Sequence, residues 1–169
     1  MTKIAEHSLA TGKLAGKYLT FVLQKESYGI DVLNVREIIR LTDITPVPQM
    51  PAYVRGVINL RGKIIQVIDL RTRFGFENVA NTEHTCIVVV QVKMAEGKGA
   101  LIGLMVDGVE EVLNLSASDI QETPDFNGRI SSDYIIGMAK VKNTVKTLLN
   151  VDSVLANESS HTAAGTNVL

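Results

Sequence analysis

Cysteine occurs once in the 169 residues, at Cys86, so no intrachain disulfide can staple this chain. Cys86 lies in the apolar run CIVVVQV and reads as a buried core thiol rather than a reactive one. An excess of either charge is also missing. The formal net charge is -1, so no global basic field draws the chain to nucleic acid. Long apolar runs are absent too; the longest uninterrupted ones are about five residues, far below the ~20 needed to span a bilayer. The N-terminus, MTKIAEHSLATGKLAGK, has no apolar stretch of signal-peptide length, which places the chain in the cytoplasm. Asn114-Leu115-Ser116 and Asn157-Glu158-Ser159 match the glycosylation pattern but carry no weight without a secretion signal.

Hydrophobic residues make up 46% of the chain, enough for a packed core and against disorder. The length fits one domain, or two small lobes sharing a core. Residues 1–17 are small, polar and weakly patterned and read as a flexible segment. Residues 156–169 read as a disordered tail. Between them the pattern is mostly β. Tyr18 to Leu23 is strand-like, and Ser27 to Asp31 can pair back on it. In VINLRGKIIQVIDL two β-branched runs flank Arg61-Gly62-Lys63, as in two strands joined by a tight turn. Cys86 to Met94 and Ala100 to Asp107 form a second hairpin. Val109 to Leu115, Tyr134 to Val141 and Val145 to Val151 are further strands, with Asn143-Thr144 in the last turn. Short strands broken by frequent turns imply a sandwich or barrel.

Helical signal is sparse. In residues 32–40, VLNVREIIR, Val32, Val35 and Ile39 share one helical face and Asp31 can cap it, which predicts a short helix. Leu70 to Phe74 reads as one helical turn ended by Gly75, and Asp152 to Leu155 as the start of a C-terminal helix.

A search for chemistry finds little. Gly97, Gly99 and Gly103 are spaced one residue too long for a dinucleotide fingerprint and lie in a hairpin. His84 and Cys86 do not assemble a metal site with His7 and His161, which lie near the ends, and His84 reads as a surface histidine. Glu110 and Glu111 are adjacent on a strand and point to opposite faces, so they make no carboxylate pair. The serines lack a nucleophile-elbow context. Arg55, Arg61, Lys63, Arg71 and Arg73 form a locally basic stretch with few interleaved aromatics, read as solvated turns and helix ends. A barrel hydrolase would need a nucleophile–base pair, and a nucleic-acid-binding barrel a basic face. Neither is visible, and nothing calls for a cofactor or metal.

The order YLTFVL, YGIDVLNVREII, ITPVPQMPAYVRGVINLRGKIIQVIDLRTRFG, IVVVQV, LIGLMVDGVEEVLNL and IIGMAKV…VKTLLNVDSVL resembles the CheW family of chemotaxis adaptors, from about Tyr18 to Leu155. One departure is Gln66, where this family usually has proline; glutamine restores a backbone donor. The resemblance implies a mainly β fold: two small SH3-like five-stranded β-barrel lobes around a shared hydrophobic core, with few short helices, over residues 18–155. It reads as one module with no receiver or kinase domain attached. It implies a non-catalytic scaffold that couples the cytoplasmic tips of methyl-accepting chemoreceptors to the regulatory domain of a CheA-type histidine kinase, recruited to membrane-associated receptor arrays in which adaptor and kinase alternate in rings. An adaptor for a different chemosensory pathway, controlling surface motility or a second messenger, is the alternative. By resemblance, Val35, Glu37, Gly56 and Arg61 lie at receptor-coupling positions, and Cys86, Ile87 and Val112 at second-lobe positions of the receptor groove. Glu37 and Arg61 carry opposite charges and are expected to pair across the first lobe.

Overall fold

The computed structural model describes residues 14–77, 79–93, 97, 99–121 and 132–155. The segments read as flexible lie outside these residues except for positions 14–17, and the first strand already begins at Gly16. Among the described residues eleven strands follow one another: β1 (Gly16–Leu23), β2 (Glu26–Asp31), β3 (Val35–Arg40), β4 (Val54–Leu60), β5 (Lys63–Asp69), β6 (Cys86–Lys93), β7 (Gly99–Val106), β8 (Gly108–Leu115), β9 (Ile120–Gln121), β10 (Ile135–Val141) and β11 (Thr144–Leu149). They form two sheets, ordered β3-β6-β7-β5-β4 and β8-β1-β2-β11-β10-β9. The second sheet has six strands rather than five only because the two-residue β9 is added at its edge. The helical turns fall where expected, at Leu70–Arg73 and over 151–155.

The packing follows from the two-residue period of the strands. Ile87 and Val89 of β6 enter the core of one lobe with Ile58, Ile65, Val67 and Met105. Their neighbours Val88, Val90 and Val92 point the other way, into a larger cluster with Leu19, Phe21, Ile30, Ile68 and Leu104. A third cluster, Tyr18, Leu115, Ile120, Ala139 and Leu148, fills the second lobe. Two lobe interiors therefore flank one shared core. Each fully buried aliphatic or aromatic side chain contributes about 1.5–3 kcal/mol.

The segment read as a helix over 32–40 is not one. Val32–Asn34 makes a single 3₁₀ turn, capped by Asp31 Oδ1, which accepts from the Leu33 N–H at 2.9 Å. The chain then extends as β3 and pairs with β6 from Val35–Val90 to Arg40–Cys86. Val35, Glu37 and Ile39 are half-buried while Arg36, Ile38 and Arg40 are exposed, the alternation of a strand. Nine residues are too few for a stable helix alone, and the open edge of β6 satisfies the backbone of this β-branched run instead.

Turn chemistry sets the hairpins. Arg61 and Gly62, with φ of 51° and 88°, have the left-handed pair required by a type I′ turn, and Asn59 Oδ1 accepts from the Gly62 N–H at 2.8 Å. The last hairpin turns on Lys142 and Asn143, one residue earlier than the sequence suggested. Gly56 lies where the β4–β5 register shifts, and Thr45 bridges to Val57 through two 2.9 Å backbone bonds. A Cβ on Gly56 would lie 2.0 Å from the Thr45 carbonyl oxygen, at a φ of 141°. Gln66 belongs to the central strand β5, between Val57 and Ile102, where proline could not donate to a ladder. Its side-chain Nε2 is buried without a hydrogen-bond partner among the described residues.

The basic stretch is not a set of solvated turns throughout. The Arg71 side chain is 1% exposed. Its Nε and Nη2 donate to the two Asp69 oxygens at 2.9 and 3.0 Å, and Nη1 donates to Asp107 at 2.9 Å. Ala80 and Asn81 accept the remaining bonds. Arg55 donates to Asp69 from Nε and Nη2. Arginine can be buried here because its planar fork is saturated. Burial alone would push the Asp69 carboxyl up, but the hydrogen bonds and charges of Arg71 and then Arg55 outweigh it and hold the carboxyl below the ordinary aspartate value.

Gly56→Ala lowers stability by about 1–3 kcal/mol or more in urea unfolding, because the carbonyl of Thr45 must move. Asp69 has a folded-state pKa below the unfolded value of about 3.9, so its contribution is complete above that pH and is lost as pH falls through the folded value. Melting temperature should drop on acidification below about pH 4. Asp69→Asn should cost about 1–3 kcal/mol at neutral pH, by removing the charge that pairs with Arg71 and Arg55 and leaving Asp107 as the one carboxylate on Arg71, and should flatten that acid dependence.

Candidate functional site

The mouth of the first lobe is built from β3 and the β4–β5 turn. Past the register shift that separates it from Val35, Glu37 points to the same side of β3 as Ile39, while the left-handed turn lifts Arg61 above the end of β4. Both arginine nitrogens meet both carboxylate oxygens: Nη1 to Oε1 and Nη2 to Oε2, each 2.7 Å. The pairing expected from the sequence is therefore present and bidentate. Arg61 is 76% exposed and Glu37 24% exposed. The hydrogen bond to Glu37, then its charge, raises the Arg61 pKa, and the guanidinium stays cationic at any relevant pH. An exposed pair of this kind contributes little to stability.

Around the pair lies an open depression of about 770 Å³, lined by Arg36, Glu37, Leu60, Arg61, Lys63, Val89 and Leu101. Its rim carries three cations and one anion, and the anion is already paired. No hydroxyl or thiol nucleophile lies among these lining residues. The chemistry available is recognition of another surface by charge and shape.

The remaining sequence-derived positions separate into contact and support. Val35 is half-buried and packs on the shared core from β3. Gly56 contributes backbone only, through its close approach to Thr45. Cys86, read as a buried core thiol, is half-buried at the start of β6. Burial pushes its pKa up, which keeps it a neutral thiol at pH 7. Ile87 has no exposed surface and belongs to the lobe interior. Val112 is 53% exposed on β8, paired to Leu19.

The lobe assignment of two of these is corrected. The resemblance implies a second-lobe position for Cys86 and Ile87, but β6 crosses back to pair with β3 and lies in the same sheet as the strands that carry Glu37 and the Arg61 turn. Of the three second-lobe candidates only Val112 lies in the other sheet. Chain order misled here because the lobes are not sequential halves: β1 and β2 pair with strands from the end of the chain.

Sequence reasoning missed two polar groupings. One is the Asp69–Arg71–Asp107–Arg55 network, whose only sequence signal is the aspartate two residues before an arginine in I-D-L-R. The other joins three strands of the second lobe. Lys146 is buried, and its Nζ donates to Ser27 Oγ at 2.9 Å and lies 3.4 Å from Glu110 Oε1, to which Ser27 also donates. His84 is exposed beside Glu83.

Comparison with known proteins agrees with this architecture. Residues 17–159 match the CheW-like domain family. The chain is 33% identical to the chemotaxis protein CheW of Klebsiella aerogenes, over 94% of this chain and 93% of that one. It is 33% identical to the chemotaxis protein CheW of Rhizobium meliloti, over 96% of this chain and 100% of that one. Among solved structures it resembles the scaffolding protein TtCheW from Thermoanaerobacter tengcongensis, with a TM-score of 0.74 and 32% identity, covering 83% of this chain and 92% of that chain. With its two-lobed β architecture and a family match across nearly the whole described chain, this protein belongs to the CheW-like family of chemotaxis scaffolding proteins.

Proposed function

We propose that this protein is a non-catalytic adaptor that couples the cytoplasmic tips of methyl-accepting chemoreceptors to the regulatory domain of a CheA-type histidine kinase. Residues 18–155 act as its working unit. The family match over residues 17–159 carries the scaffold role. The observation that points to a docking surface is the Glu37–Arg61 pair: two charged side chains fixed against each other at an open lobe mouth, where stability gains little from them.

In this reading Glu37 and Arg61 present the receptor-coupling surface, and Val112 offers an exposed apolar contact on the other lobe. Val35, Cys86 and Ile87 shape that surface from beneath, and Gly56 fixes the strand that carries the turn. No cofactor or metal takes part, and nucleic acid is not a partner. No helix among the described residues is long and apolar enough to cross a membrane, so arrays at a membrane would recruit this chain through receptor and kinase. Weak contacts suffice there, because many linked copies raise avidity without new contacts.

The test is a titration of the purified chain against a CheA-type regulatory domain and, separately, a receptor-tip fragment. Saturable binding to both, compatible in one ternary complex, is the expected result. Arg61→Ala should weaken receptor-tip binding at least several-fold with little change in melting temperature. Glu37→Lys should weaken it further, since it sets two cations against each other where a pair stood. Binding of the folded protein to neither partner would overturn the proposal. A loss of folding in Arg61→Ala would make Arg61 structural instead.

A further inference from the structure

The two lobes repeat one pattern. The order β3-β6-β7-β5-β4 corresponds to β8-β1-β2-β11-β10, with the parallel pair β5–β7 matching β11–β2. Register follows the same rule. The β4–β5 hairpin shifts at Gly56 and the β10–β11 hairpin at Gly137. Both turn on left-handed pairs, Arg61-Gly62 and Lys142-Asn143. Each second strand ends in a helical turn whose first polar residue caps it: Asp69 accepts from the Arg71 N–H, and Asn150 from the Ser153 N–H. The Asp69 N–H donates to the Tyr53 carbonyl at 2.7 Å, and the Asn150 N–H to the Tyr134 carbonyl at 2.8 Å. Tyr53 and Tyr134 are thus equivalent residues of the two lobes, and so are Arg73 and Val154.

One side chain breaks the repeat where these residues meet. The Arg73 guanidinium lies 5.1 Å from the ring centroid of Tyr53 and 5.2 Å from that of Tyr134. Its Nη2 donates to the Tyr134 hydroxyl at 2.6 Å and reaches the carbonyl of Val154, its own counterpart, at 3.4 Å. The counterpart of Arg73 in the other lobe is the uncharged Val154, so a single guanidinium serves both tyrosines.

We propose that Arg73 is a positioning residue that latches the two lobes at a fixed angle. The shared apolar core holds the lobes together, but the hydrophobic effect is itself non-directional. A cation between two rings, with a charge-assisted hydrogen bond to one of them, has a defined geometry. The consequence for signalling rests on the adaptor reading: the Glu37–Arg61 mouth and the Val112 face keep a constant relation, so a partner on one is met at a set orientation by a partner on the other.

The latch is tested on the full chain without any partner, so its failure leaves the adaptor reading standing. Residual dipolar couplings measured by NMR report the orientation of each lobe. In the unaltered protein one alignment tensor should fit both lobes. In Arg73→Ala each lobe should still fit its own structure, but with tensors that differ in orientation or magnitude beyond the wild-type error. Tyr134→Phe, which deletes only the hydroxyl acceptor, should give a smaller change, and Arg73→Lys should lie closer to wild type because the ring contacts persist. One common, unrotated tensor in Arg73→Ala would overturn the proposal. If that variant does not fold, Tyr134→Phe decides by the same criterion.

Discussion

A strand with apolar surroundings on both faces leaves little of itself to water, and the centre of this molecule is made of such strands. β6 sends Ile87 and Val89 into one lobe and Val88, Val90 and Val92 into the core shared with the other. β7 does the same with Met105 on one side and Ile102, Leu104 and Val106 on the other. Two barrels that share their middle in this way cannot separate without exposing both sets, so the lobes fold as one body. Side chains exposed enough to meet another surface are consequently confined to the mouths, turns and outer strands.

Polar groups inside such a body need complete partnership. The Asp69–Arg71–Asp107–Arg55 network meets that demand and ties the helical turn after β5 to the end of β7. Thr20 does so on a smaller scale: fully buried at the β1–β8 register shift, it accepts from the Glu111 N–H and donates to its carbonyl. The Glu37–Arg61 pair is of another kind. It has the same bidentate geometry but opens to solvent through Arg61, where it adds little to stability. Burial, rather than bonding pattern, separates the Asp69–Arg71 pair from the Glu37–Arg61 pair.

Much of the fold was legible because strands announce themselves by alternation and turns by their residues. The hairpin at Arg61-Gly62, the turn at Leu70–Arg73 and most strand limits follow from local pattern. Residues 32–40 misled because a few apolar positions at helical spacing also satisfy alternation, and only the neighbouring β6 chooses between them. At the site, the opposite charges of Glu37 and Arg61 suggested a pair. The burial of Ile87 and the half-exposure of Cys86 could not be read from one continuous apolar run. Arg71 and Arg73 look alike in sequence, yet one is enclosed by carboxylates and the other by tyrosine rings.

The sequence by itself determined the β class, the hairpin turn at Arg61-Gly62, the absence of a disulfide framework and the family to which the chain belongs. These are local properties: backbone preference, side-chain period and the order of short motifs. Tertiary structure alone decided which strands share a sheet, so that β6 joins the lobe of Glu37 while β1 and β2 close the lobe formed from the end of the chain. It alone decided that Asp69 meets Arg71 and Asp107, and that Arg73 lies between two tyrosines far apart in sequence. The physical reason is that such contacts depend on strand crossovers and on the depth to which a residue is buried, and neither is written in the residues that flank it.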